Sequence, residues 1–118
     1  MLSNFGKTRL FHAAFEIKNV YKPAWPDADT IELRLRLIRE ETFELLAAIE
    51  NREPLKDVAK EMADVLFTVY GTAASFGINL DQVFHRVFES NMSKTPGPDG
   101  GKAIKGPNYK AADLDFLD

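Results

Sequence analysis

Two segments of this sequence place acidic side chains three residues apart, a spacing that suits metal binding. Glu41 and Glu44 form the first pair, and Glu61 and Asp64 form the second. Each residue of an α-helix turns about 100°, so both members of a pair lie on the same side of their helix. Glu40 is one position off that face but can reach Glu44 at the i, i+4 spacing. Clustered carboxylates repel one another and supply hard oxygen ligands, which favours Mg²⁺ or Mn²⁺.

Asp64 is the most informative of these acids. It is the only charged residue between Met62 and Phe76, where every other residue is apolar, small or neutral. Burying an ionised carboxylate costs several kcal/mol unless a cation or hydrogen bonds compensate. The first pair alone is weaker, since acids are common on solvated helix faces and nearby arginines could pair with them. Together the two pairs predict a metal site.

Four helices are predicted to position the acids, and they predict an all-α, antiparallel four-helix bundle because short loops join them. Thr30 is the expected N-cap of the second helix, and Gly77 is the expected stop of the third. The third helix is apolar or small on every side from Met62 onward, which predicts a helix buried all round. The predicted spans are Thr8–Tyr21, Ile31–Glu50, Leu55–Phe76, and a fourth helix from near Asn79 or Asp81 to Met92.

An irregular arm is predicted after the fourth helix, over residues 93–118. Glycine and proline recur there, which disfavours a fifth helix. Lysines dominate its first part and aspartates its end. The whole chain, 1–118, is expected to be a single domain that consists of the bundle and this arm.

Composition narrows the possible functions. The 118 residues carry a net charge of −3 and no cysteine, so disulfides and thiolate metal sites are excluded. No signal peptide or membrane span is recognisable, and a cytoplasmic location is expected. A di-iron bundle needs Glu-x-x-His on two helices, but the residues three before His12 and His85 are Arg9 and Gln82. A P-loop is missing because Pro96 occupies the position of its first glycine.

The sequence from Arg34 to Glu44, followed by Glu61-Met-Ala-Asp64, resembles the Glu-Glu-x-x-Glu … Glu-x-x-Asp signature of the all-α NTP pyrophosphatases. That superfamily includes MazG-like enzymes, dimeric dUTPases and phosphoribosyl-ATP pyrophosphohydrolases. The tail, Ser90-Asn-Met-Ser-Lys94 and then Lys105-Gly-Pro-Asn-Tyr109, is similar to the end of the MazG-like and phosphoribosyl-ATP branches.

The resemblance implies a magnesium-dependent enzyme, with Mn²⁺ as a possible substitute, that cuts the α–β phosphate bond of a nucleotide. It implies that Glu41, Glu44, Glu61 and Asp64 are metal ligands. Glu40 and Glu41 are the expected catalytic residues, Glu40 being a further ligand or the base that orients water. Contacts to substrate are implied for Asn91, Lys94, Lys102, Lys105 and Tyr109 at the phosphates or sugar, and for His12, Phe15 and Trp25 at the base.

The expected reaction converts a (d)NTP to a (d)NMP and pyrophosphate, on a deoxynucleotide such as dGTP or dUTP. A homodimer or homotetramer is expected, with no nucleic-acid polymer and no membrane as partner. Two alternatives remain open at this point: a phosphoribosyl-ATP pyrophosphohydrolase, and a catalytically idle helical dimer that binds nucleotides or a protein. The aromatic residues assigned to the base also suit an ordinary core.

Overall fold

The chain is all-helical in its computed structural model, which describes residues 1–118. The four α-helices are α1 (Asn4–Ala14), α2 (Ala28–Glu50), α3 (Leu55–Phe76) and α4 (Leu80–Met92). Two short 3₁₀ segments follow at Pro98–Gly100 and Asp115–Leu117, and the β-structure is one isolated bridge between Thr95 and Ile104. None of the helices combines the length and apolar character needed to cross a membrane. The predicted all-α fold of the helical-bundle type is confirmed.

The chain divides into two compact units. Met1–Ile78 contains α1, α2 and α3, and Asn79–Asp118 contains α4 and the arm. In the first unit α3 is the central helix, since both α1 and α2 pack against it. Residues 51–54 alone connect α2 to α3, so the two long helices run as antiparallel neighbours. The acidic pairs lie on these two helices.

The predicted span of α1, Thr8–Tyr21, is wrong at both ends. The helix begins earlier because the Ser3 hydroxyl accepts a hydrogen bond from the backbone N–H of Gly6 and caps the first turn. It ends earlier because Glu16 has a φ of 59°, which a right-handed helix cannot contain. Residues 15–27 are therefore a longer loop than predicted.

The predicted N-cap of α2 is also wrong. Asp27 caps this helix, and its carboxylate accepts a hydrogen bond of 2.8 Å from the backbone N–H of Thr30. Thr30 consequently lies inside the first turn. The predicted span of α3 is confirmed, including the left-handed conformation of Gly77 after its last residue.

The expectation that α3 is buried all round is wrong for this chain. Its C-terminal half is buried at Gly71, Ala73, Ala74 and Ser75. Its middle section, residues 62–69, exposes about half of several large apolar side chains, because α1 and α2 cover only part of its circumference. The exposed side chains are Met62, Leu66, Phe67 and Val69.

The loop between α1 and α2 is fastened to the C-terminal end of α3. The backbone N–H of Val20 donates to the carbonyl of Ala74 at 2.9 Å, and that of Ala24 donates to Phe76 at 3.0 Å. The Trp25 ring then meets the Phe76 ring edge-on, with centroids 5.3 Å apart. The loop therefore forms one wall of a recess at this end of α3.

The second unit orders the arm by hydrogen bonds to α4 and the residues just after it. The Ser90 hydroxyl donates to the carbonyl of Lys110 at 2.7 Å, and the N–H of Lys110 donates to the Ser93 hydroxyl at 2.9 Å. Backbone hydrogen bonds in both directions join Thr95 and Ile104. The irregular arm predicted from glycine and proline content is thus a loop that hydrogen bonds close at two places, between residues 90–93 and Lys110 and between Thr95 and Ile104.

Gly77 provides a test of how the loop is fastened to α3. Its φ is 72°, and a Cβ built there would collide with the Lys22 carbonyl of the loop. We expect Gly77→Ala to lower the free energy of unfolding by about 2–4 kcal/mol, because left-handed strain and a backbone clash add. Urea denaturation followed by circular dichroism measures the loss.

Gly100→Ala is the matched control, because Gly100 has a φ of 69° but open space around the position of a Cβ. This variant should lose only about 1 kcal/mol, from strain alone. Equal losses in the two variants would contradict the close approach of the loop to Gly77.

Candidate metal centre

Carboxylates from α2 and α3 meet at one place in the first unit. Glu41, Glu61 and Asp64 each offer an oxygen atom, and the three atoms lie within 4.8 Å of one another. All three side chains are half-buried. The arrangement follows from the sequence, since antiparallel helices bring the i, i+3 acidic pair of α3 opposite the acids of α2.

The surroundings disfavour the ionised form of two of these acids. Burial raises the pKa of Glu41, and the negative charges of Glu44, Asp64 and Glu61 raise it further. Burial also raises the pKa of Glu61, Lys60 opposes this effect, and Glu44 adds to it. Glu44 is itself exposed but acts electrostatically on both acids. The four predicted metal ligands are therefore one electrostatic cluster.

Two oxygen atoms of the cluster show that it suits a cation. Glu41 Oε2 and Glu61 Oε2 are buried and have no hydrogen-bond partner. A buried carboxylate oxygen without a donor is costly, and a hard divalent cation removes that cost while it neutralises the repulsion. The donor set consists only of carboxylate oxygens, as Mg²⁺ and Mn²⁺ prefer. The residues fit the metal that the sequence predicted.

Glu40, predicted as a ligand or as the base, lies outside the three-oxygen group. Its carboxylate is 3.9 Å from the Arg36 guanidinium, and both side chains are more than half exposed. An exposed pair of this kind contributes little to stability. Glu40 therefore remains accessible to solvent, and its catalytic role stays a prediction.

Lys60 is a member of the cluster that the sequence analysis missed. Its Nζ lies 2.7 Å from Asp64 Oδ2 and 3.9 Å from Glu61 Oε1. The i, i+4 spacing of Lys60 and Asp64 on a helix was the signal that could have identified it. The acidic cluster thus contains one ammonium group of its own.

A buried cation lies further along the same helix pair. The side chain of Arg34 is 6% exposed and donates to the hydroxyl of Thr72 at 3.2 Å and to the carbonyl of Thr68 at 3.0 Å. Both partners are uncharged, and burial lowers the pKa of Arg34. Gly71 makes this placement possible, since a Cβ there would contact the guanidinium.

His12, predicted to contact the base, is buried beside this arginine. It is 2% exposed, and its Nδ1 has no hydrogen-bond partner. Burial lowers the pKa of His12, and the positive charges of Arg34 and Arg9 lower it further. The imidazole is therefore neutral near pH 7. The structure places His12 against α3, and its role toward a base stays a prediction.

A cavity of about 350 Å³ lies between the α1–α2 loop, the start of α2 and the end of α3. Trp25, Leu33, Arg34 and Ser75 are among the residues that line it. Its volume is at the lower end of the range for small-molecule sites. Phe15 does not line this cavity; it is 66% exposed and packs on Phe11 with ring centroids 4.7 Å apart.

The predicted phosphate-binding residues belong to the second unit. Lys94 and Tyr109 line an open cavity of about 670 Å³ within that unit. The Lys105 ammonium lies 5.1 Å from the centre of the Tyr109 ring. Asn91 and Lys102 are exposed and do not line this cavity. Their contacts with a nucleotide stay predictions.

Comparison with known proteins gives two matches. A family model described as phosphoribosyl-ATP pyrophosphohydrolase matches residues 8–91. An uncharacterised protein of Acanthamoeba polyphaga mimivirus is 48% identical over 52 residues, which are 44% of this chain and 20% of that protein. The chain therefore matches only about a fifth of the length of this viral relative.

Repulsion within the cluster predicts a stability effect in the metal-free protein. Because the pKa of Glu41 is raised in the folded state, this residue adds stability below its unfolded pKa and loses that contribution as the pH rises through its folded pKa. At pH 7 in EDTA, Glu41→Gln should raise the Tm by about 2 °C. The difference from the wild type should shrink toward pH 4, as differential scanning fluorimetry can measure.

Glu40→Gln is the control, because it removes the same charge from the neighbouring exposed position. Its Tm should remain within about 1 °C of the wild-type value at both pH values. A lower Tm for Glu41→Gln at pH 7 would mean that Glu41 is held by a stabilising ion pair.

Proposed function

Because this chain belongs to the phosphoribosyl-ATP pyrophosphohydrolase family, we propose that it hydrolyses the α–β phosphoanhydride bond of a nucleoside triphosphate. The products are a nucleoside monophosphate and pyrophosphate. The observation that carries the proposal is the group of three carboxylate oxygens within 4.8 Å of one another on α2 and α3. The family is one of nucleotide pyrophosphohydrolases, and its model spans both acidic helices.

Mg²⁺ is the proposed cofactor, and Mn²⁺ would substitute for it as another hard cation. Glu41, Glu44, Glu61 and Asp64 would hold the ion. When bound, the ion neutralises charge that develops on the phosphates and lowers the pKa of a bound water molecule. The two buried oxygens without donors, on Glu41 and Glu61, support this assignment.

Glu40 is the proposed base that orients and deprotonates the attacking water. It is adjacent in sequence to Glu41 but remains outside the oxygen group, so its carboxylate is available to accept a proton. Its exposure also gives water direct access to the carboxylate. Glu41 contributes an oxygen atom to the three-oxygen group, so it is assigned to the cation and not to this role.

The cavity lined by Trp25 and Arg34 is the proposed site of the base. Arg34 precedes Glu41 by seven residues on α2, which is about two helical turns, so both lie on one face about 10 Å apart along the axis. A nucleoside triphosphate spans this order of distance between its base and its phosphates. Trp25 offers an aromatic face or edge beside the cavity.

The chemistry of Arg34 favours a base with a carbonyl oxygen. A guanidinium can only donate hydrogen bonds, and Arg34 is buried with uncharged partners. Guanine and uracil each present a carbonyl acceptor, which supports dGTP or dUTP as the substrate. Phosphoribosyl-ATP, whose base derives from adenine, is the second candidate because the matching family model carries its name.

Self-association into a dimer or tetramer is part of the proposal. The first unit exposes large apolar side chains on both helices that carry the acids. Large apolar side chains exposed on adjacent helices are typical of interaction sites in soluble proteins. The exposed apolar residues of α2 and α3 include Phe43, Leu46, Met62, Leu66 and Phe67.

Turnover with a metal is the direct test. With Mg²⁺ and a panel of NTPs and dNTPs, the protein should release pyrophosphate and a monophosphate, and EDTA should abolish turnover without unfolding it. Asp64→Asn should lower kcat/KM more than about 100-fold, because it removes a ligand and keeps the shape. Asp57→Asn, on the same helix but in its first turn, should retain most activity.

Two results would count against the proposal. A nucleoside diphosphate product would move the cleavage to the β–γ bond. Absence of turnover with every nucleotide, in a folded protein that still binds them, would favour the non-catalytic nucleotide-binding dimer. Chromatography of the products and circular dichroism distinguish these cases.

Selectivity for the base gives a separate prediction. The kcat/KM for dGTP or dUTP should exceed that for dATP by about tenfold or more, since adenine has no carbonyl oxygen and presents an amino group where guanine has its carbonyl. Trp25→Ala should lower kcat/KM for every nucleotide, and Arg34→Gln should reduce the preference, because an amide can also accept a hydrogen bond. Preference for dATP or phosphoribosyl-ATP would contradict the assignment of the carbonyl.

A further inference from the structure

We propose that Lys60 is a resident counter-cation of the acidic cluster. Its ammonium group must leave the cluster when a divalent cation binds there. The inference rests on the metal site of the proposed function and adds a residue that lowers the affinity of that site for free metal. Lys60 would thereby limit metal binding in the absence of a nucleotide.

The geometry of α3 places the ammonium group at the cluster. Lys60 is four residues before Asp64 and directly precedes Glu61. Its Nζ lies 2.7 Å from Asp64 Oδ2, a short charge-assisted hydrogen bond, and 3.9 Å from Glu61 Oε1. Side chains four apart on a helix are neighbours, so the contact is inherent in the sequence spacing.

The charges around the cluster give Lys60 a distinct position. Glu41 and Glu61 each have a raised pKa, and the ammonium of Lys60 is the charge that opposes the rise in both. One positive charge against four carboxylates leaves the cluster strongly negative. It also leaves Glu41 Oε2 and Glu61 Oε2 without donors. Lys60 therefore compensates the cluster only in part.

Lys60 can leave the cluster at small cost. Its side chain is 70% exposed, whereas that of Glu61 is 19% exposed and that of Asp64 is 32% exposed. An exposed ammonium exchanges its carboxylate partner for water with little loss of free energy. The carboxylate side chains are packed between α2 and α3 and the lysine side chain extends into solvent, so Lys60 is the group that moves.

Competition between Lys60 and a divalent cation follows from the shared carboxylate. The Asp64 carboxylate cannot hold the ammonium at 2.7 Å and coordinate a metal closely without repulsion between the two cations. Lys60 must rotate outward, and its loss of the carboxylate opposes metal binding. Phosphate oxygens of a nucleotide would give the released ammonium a new partner, so the opposition should weaken when metal and nucleotide bind together.

Binding of Mn²⁺ to the protein without nucleotide tests the proposal. Electron paramagnetic resonance of free Mn²⁺ gives the Kd for the wild type, Lys60→Gln, Lys60→Arg and Lys56→Gln. We expect Lys60→Gln to bind Mn²⁺ about fivefold more tightly, because one nearby positive charge is removed. Lys60→Arg keeps the charge and should bind like the wild type. Lys56→Gln, one turn earlier on α3, should also stay within about twofold.

Thermal melting in EDTA provides a second readout. Without metal, Lys60→Gln should have a lower Tm than Lys56→Gln, because repulsion in the cluster is less compensated. Saturating Mn²⁺ should remove that difference. A nucleotide with a non-hydrolysable α–β bridge should narrow the gap in Mn²⁺ affinity between the wild type and Lys60→Gln.

The outcomes separate this proposal from the metal site itself. Equal or weaker Mn²⁺ binding by Lys60→Gln, with binding abolished in Asp64→Asn, would overturn the role of Lys60 and leave the metal site intact. Absence of Mn²⁺ binding in both the wild type and Lys60→Gln at millimolar metal would overturn both. If Lys60→Gln and Lys56→Gln both bound Mn²⁺ more tightly by the same factor, the cause would be the change in net charge of the protein. That result would overturn the specific role of Lys60.

Discussion

Repulsion among carboxylates on two packed helices is the constraint on which the first unit depends. Glu41 on α2 and Glu61 and Asp64 on α3 hold oxygens within 4.8 Å of one another, and one buried oxygen each of Glu41 and Glu61 lacks a donor. Lys60 offsets only part of the repulsion, so the packing of α2 on α3 must overcome the rest. The helices pack closely on both sides of the acids. One closely packed section is at Ala48 on α2, and the other is at the buried C-terminal part of α3.

The basic side chains of Arg34 and His12 lie together beside the buried C-terminal part of α3, where two positive charges would repel each other. Gly71 leaves room for the guanidinium of Arg34 and the imidazole of His12, which a Cβ would contact. Burial and the charges of Arg34 and Arg9 lower the pKa of His12, so the imidazole is neutral. Arg34 keeps its charge and donates hydrogen bonds to the Thr68 carbonyl and the Thr72 hydroxyl. The helix pair is therefore rich in negative charge around Glu41 and holds a buried positive charge about two turns away at Arg34. A nucleotide, with anionic phosphates that need a metal and a base with acceptor atoms, matches this polarity.

Much of the site could be predicted from sequence because helical spacing alone fixes it. Of the four acids in the i, i+3 pairs, Glu41, Glu61 and Asp64 meet and Glu44 lies outside the close group, and the span of α3 was correct. Features that depend on the loop were not predictable: Asp27 rather than Thr30 caps α2, and the positive φ of Glu16 ends the turn after α1. Lys60 was not predicted, although its i, i+4 spacing from Asp64 is visible in the sequence. The exposed side of α3 was not predicted, because an apolar sequence indicates that burial is favourable but does not show which part of the structure covers the helix.

The exposed apolar side chains of α3 bear on the acids that share that helix. Phe67 is about half exposed and lies three residues after Asp64, so the two side chains share one side of α3. If a second copy covers this surface, as the proposed self-association requires, water is removed from around half-buried carboxylates. Desolvation then raises the free energy of the metal-free cluster, while a cluster neutralised by a divalent cation loses far less. Association and metal binding would therefore favour each other, by the same repulsion that the packing of α2 on α3 must overcome in the single chain.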